Sequence, residues 1–301
     1  MASYKIVFCG TGMIGAGLAV NALLNDNEVV LYDVVPVENM KKNLEKVLEI
    51  MVEAGATTKA IADEKLKEVK YCNDLKEALA GGADMVQECI PERIDLKKST
   101  FRSIQEVLGK DVIICSSTSM MLPSALQEDA LYPENIIVGH PYNPSYLLPL
   151  IELCGPEAAP STIEKAKAVY TAMGKMPVVC KKEVKGYLVN NISWQVFYAA
   201  ANSVKDGLCT AEDADKALMY GPGMRMAVLG QLLTISLGIP GGIAKAAEKY
   251  GLEPDPLYEI VGKSVDEEMA ARKPEHGNTV EDIVKFRDRA FADILKIHGV
   301  L

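Results

Sequence analysis

Three histidines occur among the 301 residues, and His140 stands in the run Gly139-His140-Pro141-Tyr142-Asn143-Pro144, just past a strand-like stretch. Imidazole is the side chain whose ordinary pKa lies near neutrality, so a histidine held by prolines at a strand end is suited to passing a proton. Glu152 follows 12 residues later, at the end of the next apolar run. A carboxylate against the far ring nitrogen would fix the tautomer and stabilise the imidazolium formed when the ring takes a proton. The competing reading of Glu152 is a solvated strand-end residue. Ser119, 21 residues before His140 in Cys115-Ser116-Ser117-Thr118-Ser119-Met120, lies at the carboxyl end of the preceding strand. Ligands gather there in an open parallel sheet, whereas Ser116 and Ser117 suit the polar groups of a turn. Asn190, 50 residues after His140, opens the helical part of the chain. Its amide can donate to a substrate oxygen or cap backbone.

A redox partner for that set is indicated near the N-terminus. The first strand runs directly into Gly10-Thr11-Gly12-Met13-Ile14-Gly15 and then an Ala/Leu-rich stretch, Ala16 to Leu24. In the dinucleotide fingerprint the first glycine permits the tight turn, the second lets backbone approach a pyrophosphate, and the third allows close helix-sheet contact. The phosphates sit on the helix N-terminus, and Met13 and Ile14 of the loop are expected cofactor-binding residues with the glycines. Asp33 ends the second strand, 18 residues after Gly15. A carboxylate there accepts hydrogen bonds from ribose hydroxyls and repels a 2′-phosphate, and Val34 and Val35 offer no arginine to neutralise one. The expected cofactor is NAD rather than NADP.

The elements that must position these residues follow from hydrophobic pattern. Apolar, β-branched runs recur at Lys5 to Cys9, Glu28 to Tyr32, Met85 to Ile90, Val112 to Cys115 and Ile136 to Val138, with helix-like stretches between most of them. Alternation of this kind predicts a parallel sheet covered on both faces. Residues 37–68 suit two amphipathic helices, Val69 to Cys72 an added strand, and Leu150 to Leu153 and Pro177 to Val179 strands flanking a helix from Ser161 to Met173. The character changes near Val184, and beyond it the pattern is helical, with Thr210-Ala211-Glu212-Asp213 as a helix start and Gly/Pro breaks at 221–223 and 238–242. The predicted architecture is α/β: an N-terminal Rossmann-type doubly wound parallel sheet over residues 1–184 and a C-terminal all-helical domain over 185–301.

Composition narrows the class. With 49% hydrophobic and 24% charged residues the chain reads as a globular enzyme, and a net charge of -9 opposes a general nucleic-acid or anionic-membrane surface. The start Met1-Ala2-Ser3-Tyr4-Lys5 lacks the basic and apolar regions of a secretory signal, and Val228 to Ile239 is too short to cross a bilayer. Both point to a cytoplasmic protein. Seven cysteines without a Cys-x-x-Cys pair read as packing residues rather than a metal site or disulfide framework.

Taken together, the glycine loop, the Glu92 to Lys97 segment, Ser119, the stretch from Gly139 to Glu152 and Gly186-Tyr187-Leu188-Val189-Asn190 resemble the 3-hydroxyacyl-CoA dehydrogenase family, in the same order and over nearly the whole chain. That resemblance implies reversible hydride transfer between NAD and C3 of a hydroxy acid. It further implies His140 as general acid/base, Glu152 as its paired carboxylate, Ser119 on the reacting oxygen and Asn190 touching substrate and catalytic groups. Glu92 and Lys97 match positions near the nicotinamide end of the cofactor, and a homodimer is the family's usual assembly.

Gly221-Pro222-Gly223-Met224-Arg225 looks like the form found in the carnitine and gulonate dehydrogenase (lambda-crystallin) branch of that family. A buried or half-buried arginine beside glycines can clamp a carboxylate with paired hydrogen bonds, which makes Arg225 the expected anchor of a free acid; the alternative is pairing with a structural acid or a partner subunit. Met226 and Asn191 depart from the carnitine pattern, so the expectation is a small free 3-hydroxy acid, carnitine- or gulonate-like. The alternatives are a short-chain 3-hydroxyacyl-CoA substrate and an NADH-binding protein without turnover, as in crystallin recruitment.

Overall fold

Along β1 (Lys5–Cys9), Ile6 and Phe8 enter one apolar layer while Val7 and Cys9 enter another, so this strand is buried on both faces. Such burial requires helices on each side of the sheet. The computed structural model describes residues 3–156 and 158–301; Met1, Ala2 and Glu157 lie outside the described residues. Two compact units emerge, one up to Trp194 and one from Gln195 onwards.

In the first unit eight strands form a single sheet in the order β3-β2-β1-β4-β5-β6-β7-β8. The remaining strands are β2 (Glu28–Tyr32), β3 (Lys70–Cys72), β4 (Met85–Glu88), β5 (Ile113–Ser116), β6 (Ile136–Pro141), β7 (Leu150–Cys154) and β8 (Met176–Cys180). Helices α1 (Met13–Leu24), α2 (Val37–Glu53), α3 (Lys59–Lys65), α4 (Leu75–Leu79), α5 (Ile94–Leu108), α6 (Pro123–Gln127) and α7 (Pro160–Ala172) connect them. The two helices expected between β2 and β3 are α2 and α3. One apolar layer joins Ile6, Phe8 and Leu31 to Leu18, Leu44 and Val169; the opposite layer joins Val7, Val30 and Val86 to Phe101 and Ile104.

The sheet departs from the all-parallel expectation at one place. Strands β1 to β6 are parallel, but β7 pairs antiparallel with β6, and β8 runs parallel to β7. A parallel return needs a crossover of about a dozen residues or more. The link over 142–149 is too short for one, so the chain turns back on itself. The link is tied down from below: buried Lys175 donates to the carbonyls of Leu148 at 3.1 Å and of Ser145, and Asn21 donates to Tyr146 O at 3.0 Å.

Helix α8 (Tyr187–Lys205) leads from the first unit into the second. There α9 (Ala211–Leu218), α10 (Met224–Leu229), α11 (Gln231–Leu237), α12 (Ala246–Tyr250), α13 (Pro256–Ala271) and α14 (Val280–Ile297) follow. Thr210 caps α9 by accepting from Asp213 N, as the sequence signal predicts. The inner apolar contacts are Leu229, Leu233, Val265 and Ile283. Among the described residues no helix is long and apolar enough to cross a membrane.

Candidate active site

The antiparallel turn back places His140 and Glu152 directly opposite each other on β6 and β7. Facing residues on an antiparallel pair present their side chains on the same side of the sheet. His140 Nδ1 and Glu152 Oε2 are 2.8 Å apart, and both residues are buried. Glu152 is therefore an interior strand residue, not the solvated strand end of the competing reading. His140 likewise belongs to β6 itself, which runs on past Val138 to Pro141.

A buried carboxylate needs more than one partner to remain charged. Glu152 finds them at the N-terminus of α8, where the amides of Leu188 and Val189 donate to Oε1 at 2.9 and 2.7 Å. These amides have no acceptor within the helix, so the carboxylate oxygen satisfies two donors at its start. With Oε2 as the partner of Nδ1, the other ring nitrogen, Nε2, is the one left facing away from Glu152. Among the described residues Nε2 has no hydrogen-bond partner and is available as a base.

Tyr187, the first residue of α8, completes the holder. Its backbone takes the left-handed conformation at φ 53°, its ring lies 5.3 Å from the imidazole, and its hydroxyl donates to Met121 O at 2.6 Å. Burial pushes its phenol pKa up, so this hydroxyl remains a donor. Met121 follows Ser119 in the bend after β5. Ser119 is exposed and Asn190, in the first turn of α8, is half-buried, and among the described residues neither side chain is engaged in a hydrogen bond. Both keep donors to offer.

Glu92 and Lys97 meet in a second polar cluster behind that bend. Lys97 Nζ lies 2.7 Å from Glu88 Oε1, 3.2 Å from Glu92 Oε2 and 3.4 Å from Ile90 O. These three acceptors use all three ammonium hydrogens, and the side chain is 1% exposed. Lys97 is thus a buried tether, not an open cation. Glu92 in turn accepts from Thr118 Oγ1, next to Ser119, and Glu88 accepts from Ser116 Oγ and, at 2.8 Å, from Ile90 N. Burial raises the Glu88 carboxyl, with Lys97 and Ser116 opposing the rise. Glu88 was missed from the sequence, although a lone acid in the apolar run Met85 to Ile90 demands a partner.

The glycine loop borders a cleft of about 860 Å³ lined by Gly10, Gly12, Asp33, Asn39, Lys42 and Pro91, among others. Gly10 has φ +95°, and a Cβ there would come within 2.5 Å of Cys89 O. A Cβ on Gly15 would lie 2.0 Å from Gly10 O, whereas one on Gly12 would meet no protein atom within 4 Å. That open face at the α1 N-terminus, begun by Met13 and Ile14, is what a pyrophosphate requires. Asp33 is oriented by Thr11, whose amide and hydroxyl donate to Oδ2 at 2.7 and 2.8 Å, and by Val34 N on Oδ1 at 2.7 Å. Asn43 fixes the loop from α2 through Thr11 O at 2.8 Å. Asn39, Lys42 and Asn43 were not legible in the sequence, because helix α2 reaches this cleft only by tertiary packing, and Thr11, though inside the glycine motif, gains its role only through Asp33. Lys42 adds a cation where Val34 and Val35 gave none.

Arg225, on α10, is exposed rather than buried or half-buried, and among the described residues it makes no ion pair. It borders a small cavity within the helical unit.

Comparison with known proteins accords with this arrangement. Residues 5–184 match the model of the 3-hydroxyacyl-CoA dehydrogenase NAD binding domain, and residues 186–279 match that of the 3-hydroxyacyl-CoA dehydrogenase C-terminal domain. The chain is 32% identical to L-carnitine dehydrogenase of Bacillus cereus, covering 97% of this chain and 92% of that protein. It is 29% identical to the human lambda-crystallin homolog, covering 97% and 95%. Among solved structures, the NAD+-dependent 5-formyl-3-hydroxy-2-methylpyridine 4-carboxylic acid 5-dehydrogenase aligns over 99% of both chains with a TM-score of 0.71 and 25% identity. A glycine cleft for NAD, a buried histidine-glutamate pair and two matched domains have one reading: the chain belongs to the 3-hydroxyacyl-CoA dehydrogenase family and is an NAD-dependent oxidoreductase acting on a CH-OH group.

Proposed function

We propose that the protein is an NAD-dependent dehydrogenase of a small free 3-hydroxy carboxylic acid, carrying out reversible oxidation at C3. The observation that carries the chemistry is the His140-Glu152 pair, with Glu152 held by the amides of Leu188 and Val189. NAD, held by the glycine loop, the α1 N-terminus and Asp33, supplies the hydride acceptor. In the oxidation direction His140 Nε2 takes the hydroxyl proton, and Glu152 stabilises the imidazolium that results. Ser119 and Asn190 offer hydrogen bonds to the reacting oxygen, lowering the cost of its changing charge. Glu92 and Lys97 act behind Ser119, with Lys97 holding Glu92 and Glu92 holding Thr118. In the reverse direction the imidazolium returns the proton to the carbonyl oxygen.

The free-acid assignment rests on the carnitine dehydrogenase relatives, since carnitine is a 3-hydroxy acid with an uncovered carboxylate. Arg225, without an ion pair of its own, is the cation we assign to that carboxylate. A panel of free 3-hydroxy acids beside 3-hydroxybutyryl-CoA, followed by NADH absorbance, tests the assignment. Turnover is expected with at least one free acid and a KM rise of about tenfold or more in Arg225→Ala. Preference for the thioester, or an unchanged KM in that variant, would overturn it.

A homodimer fits the apolar side chains that the helical unit leaves exposed, including Leu208 at 80% and Ile297 at 83%. Light scattering checks the assembly. A cytoplasmic setting is in keeping with seven free cysteines.

A further inference from the structure

Helix α8 is fastened twice to the strands that carry the histidine-glutamate pair. The first fastening is Glu152, which accepts from the amides of Leu188 and Val189. The second lies further along the helix, where the hydroxyls of Tyr142 and Ser193 share a hydrogen bond at 3.0 Å. Asn190 stands between the two, three residues before Ser193. At that spacing side chains are neighbours on one helix face, with Cβ atoms about 5–6 Å apart. Tyr142 follows His140 by two residues, and its amide continues the pairing with β7 through Leu150 O at 3.4 Å. Residues two apart on a strand share a face, so the Tyr142 side chain leaves the sheet on the side of the His140 ring, roughly 7 Å along. His140, Tyr142, Asn190 and Ser193 all belong to the first unit.

Neither end of the second fastening is loose. Tyr142 and Ser193 are both half-buried, and the link over 142–149 is held by Lys175 on the carbonyls of Ser145 and Leu148 and by Asn21 on Tyr146 O. The two fastenings do different work. Glu152 fixes where the helix begins, but a helix held at its first amides can still turn about its own axis. A bond to Ser193 holds the face on which Asn190 stands.

We infer that Tyr142 is a positioning residue: through Ser193 it sets the rotation of α8 and so places the Asn190 amide relative to His140. The inference rests on the reading of Asn190 and His140 as partners at the reacting oxygen and adds the residue that keeps them in step. A donor aimed at a changing charge acts over a short, directed range, and a displacement of about 1 Å can cost about a hundredfold in rate. Tyr142 therefore affects the reaction without touching substrate.

The test is a mutant cycle on the full-length chain, using NAD and whichever of 3-hydroxybutyrate, L-carnitine and 3-hydroxybutyryl-CoA is turned over fastest. Tyr142→Phe and Ser193→Ala should each lower kcat about threefold to tenfold while the KM for NAD holds within about twofold. Ser193→Thr, which keeps a hydroxyl, should recover most of the loss. In an Asn190→Ala background, itself down about a hundredfold, Tyr142→Phe should change kcat by less than about twofold, because the group it places is gone. With Asn190→Ala impaired, an equal loss from Tyr142→Phe in both backgrounds, or none in the parent, would overturn the inference. A second readout does not depend on turnover. In 15N-labelled protein with NADH bound, the Asn190 side-chain amide signal, identified by its absence in Asn190→Ala, should move in Tyr142→Phe; an unmoved signal would also overturn the inference. Failure of the underlying reading looks different. Should Asn190→Ala keep the parent kcat, the catalytic assignment of Asn190 falls, and the amide signal alone decides whether Tyr142 places it.

Discussion

His140 and Glu152 are register partners on neighbouring antiparallel strands, joined at 2.8 Å, and Glu152 is fastened to the first amides of α8. One carboxylate thus joins the His140 ring to the start of the helix that carries Asn190. This double attachment separates the effects of substitutions at Glu152 from those at its neighbours.

Glu152→Gln keeps an oxygen for the Leu188 and Val189 amides but turns an amide donor toward the ring. His140 must then accept at Nδ1 and carry its proton on Nε2, the wrong tautomer for a base. The expected loss is about 10³-fold or more in kcat, by analogy with the comparable change in a serine protease triad, while NADH affinity holds within about threefold. Steady-state kinetics with circular dichroism checks this, and a loss below about tenfold would remove Glu152 from the role.

Tyr187→Phe deletes the hydrogen bond to Met121 O while leaving the ring against His140. If the tyrosine positions the bend that carries Ser119, kcat should fall about fivefold to twentyfold, KM should move less, and the pH profile should keep its shape. Tyr187→Leu removes both contacts and should lose more. Equal kinetics in parent and Tyr187→Phe would mean that the hydroxyl is only structural.

Asp33→Ser removes the carboxylate that Thr11 and Val34 orient in the cofactor cleft. Affinity for NADH should fall by about tenfold, and discrimination against NADPH should shrink because the repulsion of a 2′-phosphate is gone and Lys42 remains. Fluorescence titrations with both nucleotides measure this. Unchanged discrimination would place cofactor selection elsewhere.

Lys175 gives a pH signature of stability. Burial lowers its pKa from the ordinary 10.5 to about 8. Below pH 8 both folded and unfolded chains carry the charge, and the fold bears its desolvation. Between about 8 and 10.5 the folded chain has released a proton that the unfolded chain still binds, so this contribution to stability rises with pH. A neutral amine still has two hydrogens for the carbonyls of Ser145 and Leu148. Denaturant midpoints of Lys175→Met should therefore lack the alkaline gain seen in the parent across this window. Parallel pH dependences would refute the assignment.

Much was legible from residue order because the determinants are local. The strand at Lys5 needs only its apolar run, the Gly10 to Gly15 loop only its turn and close approaches, and the helix start at Thr210 only a side-chain acceptor for Asp213 N. Glu88, Tyr187 and Lys42 were not legible as site residues, because their meaning comes from partners far along the chain. Glu88 is explained by Ser116 and Lys97, Tyr187 by Met121 and His140, and Lys42 by helix α2 folding over the glycine loop.

Residue types and spacing alone carried the dinucleotide loop and the helical second part, and they singled out Asp33 as the acid we propose for the ribose and His140 as the base we propose. These properties reside in single side chains and in short-range backbone preference. Tertiary structure decided that β7 turns back beside β6, which makes Glu152 an interior partner instead of a solvated strand end. It also decided that Lys97 is spent on Glu88 and Glu92, and that the Tyr142 hydroxyl meets Ser193 on α8. Burial, strand direction and the pairing of charges depend on which distant segments meet.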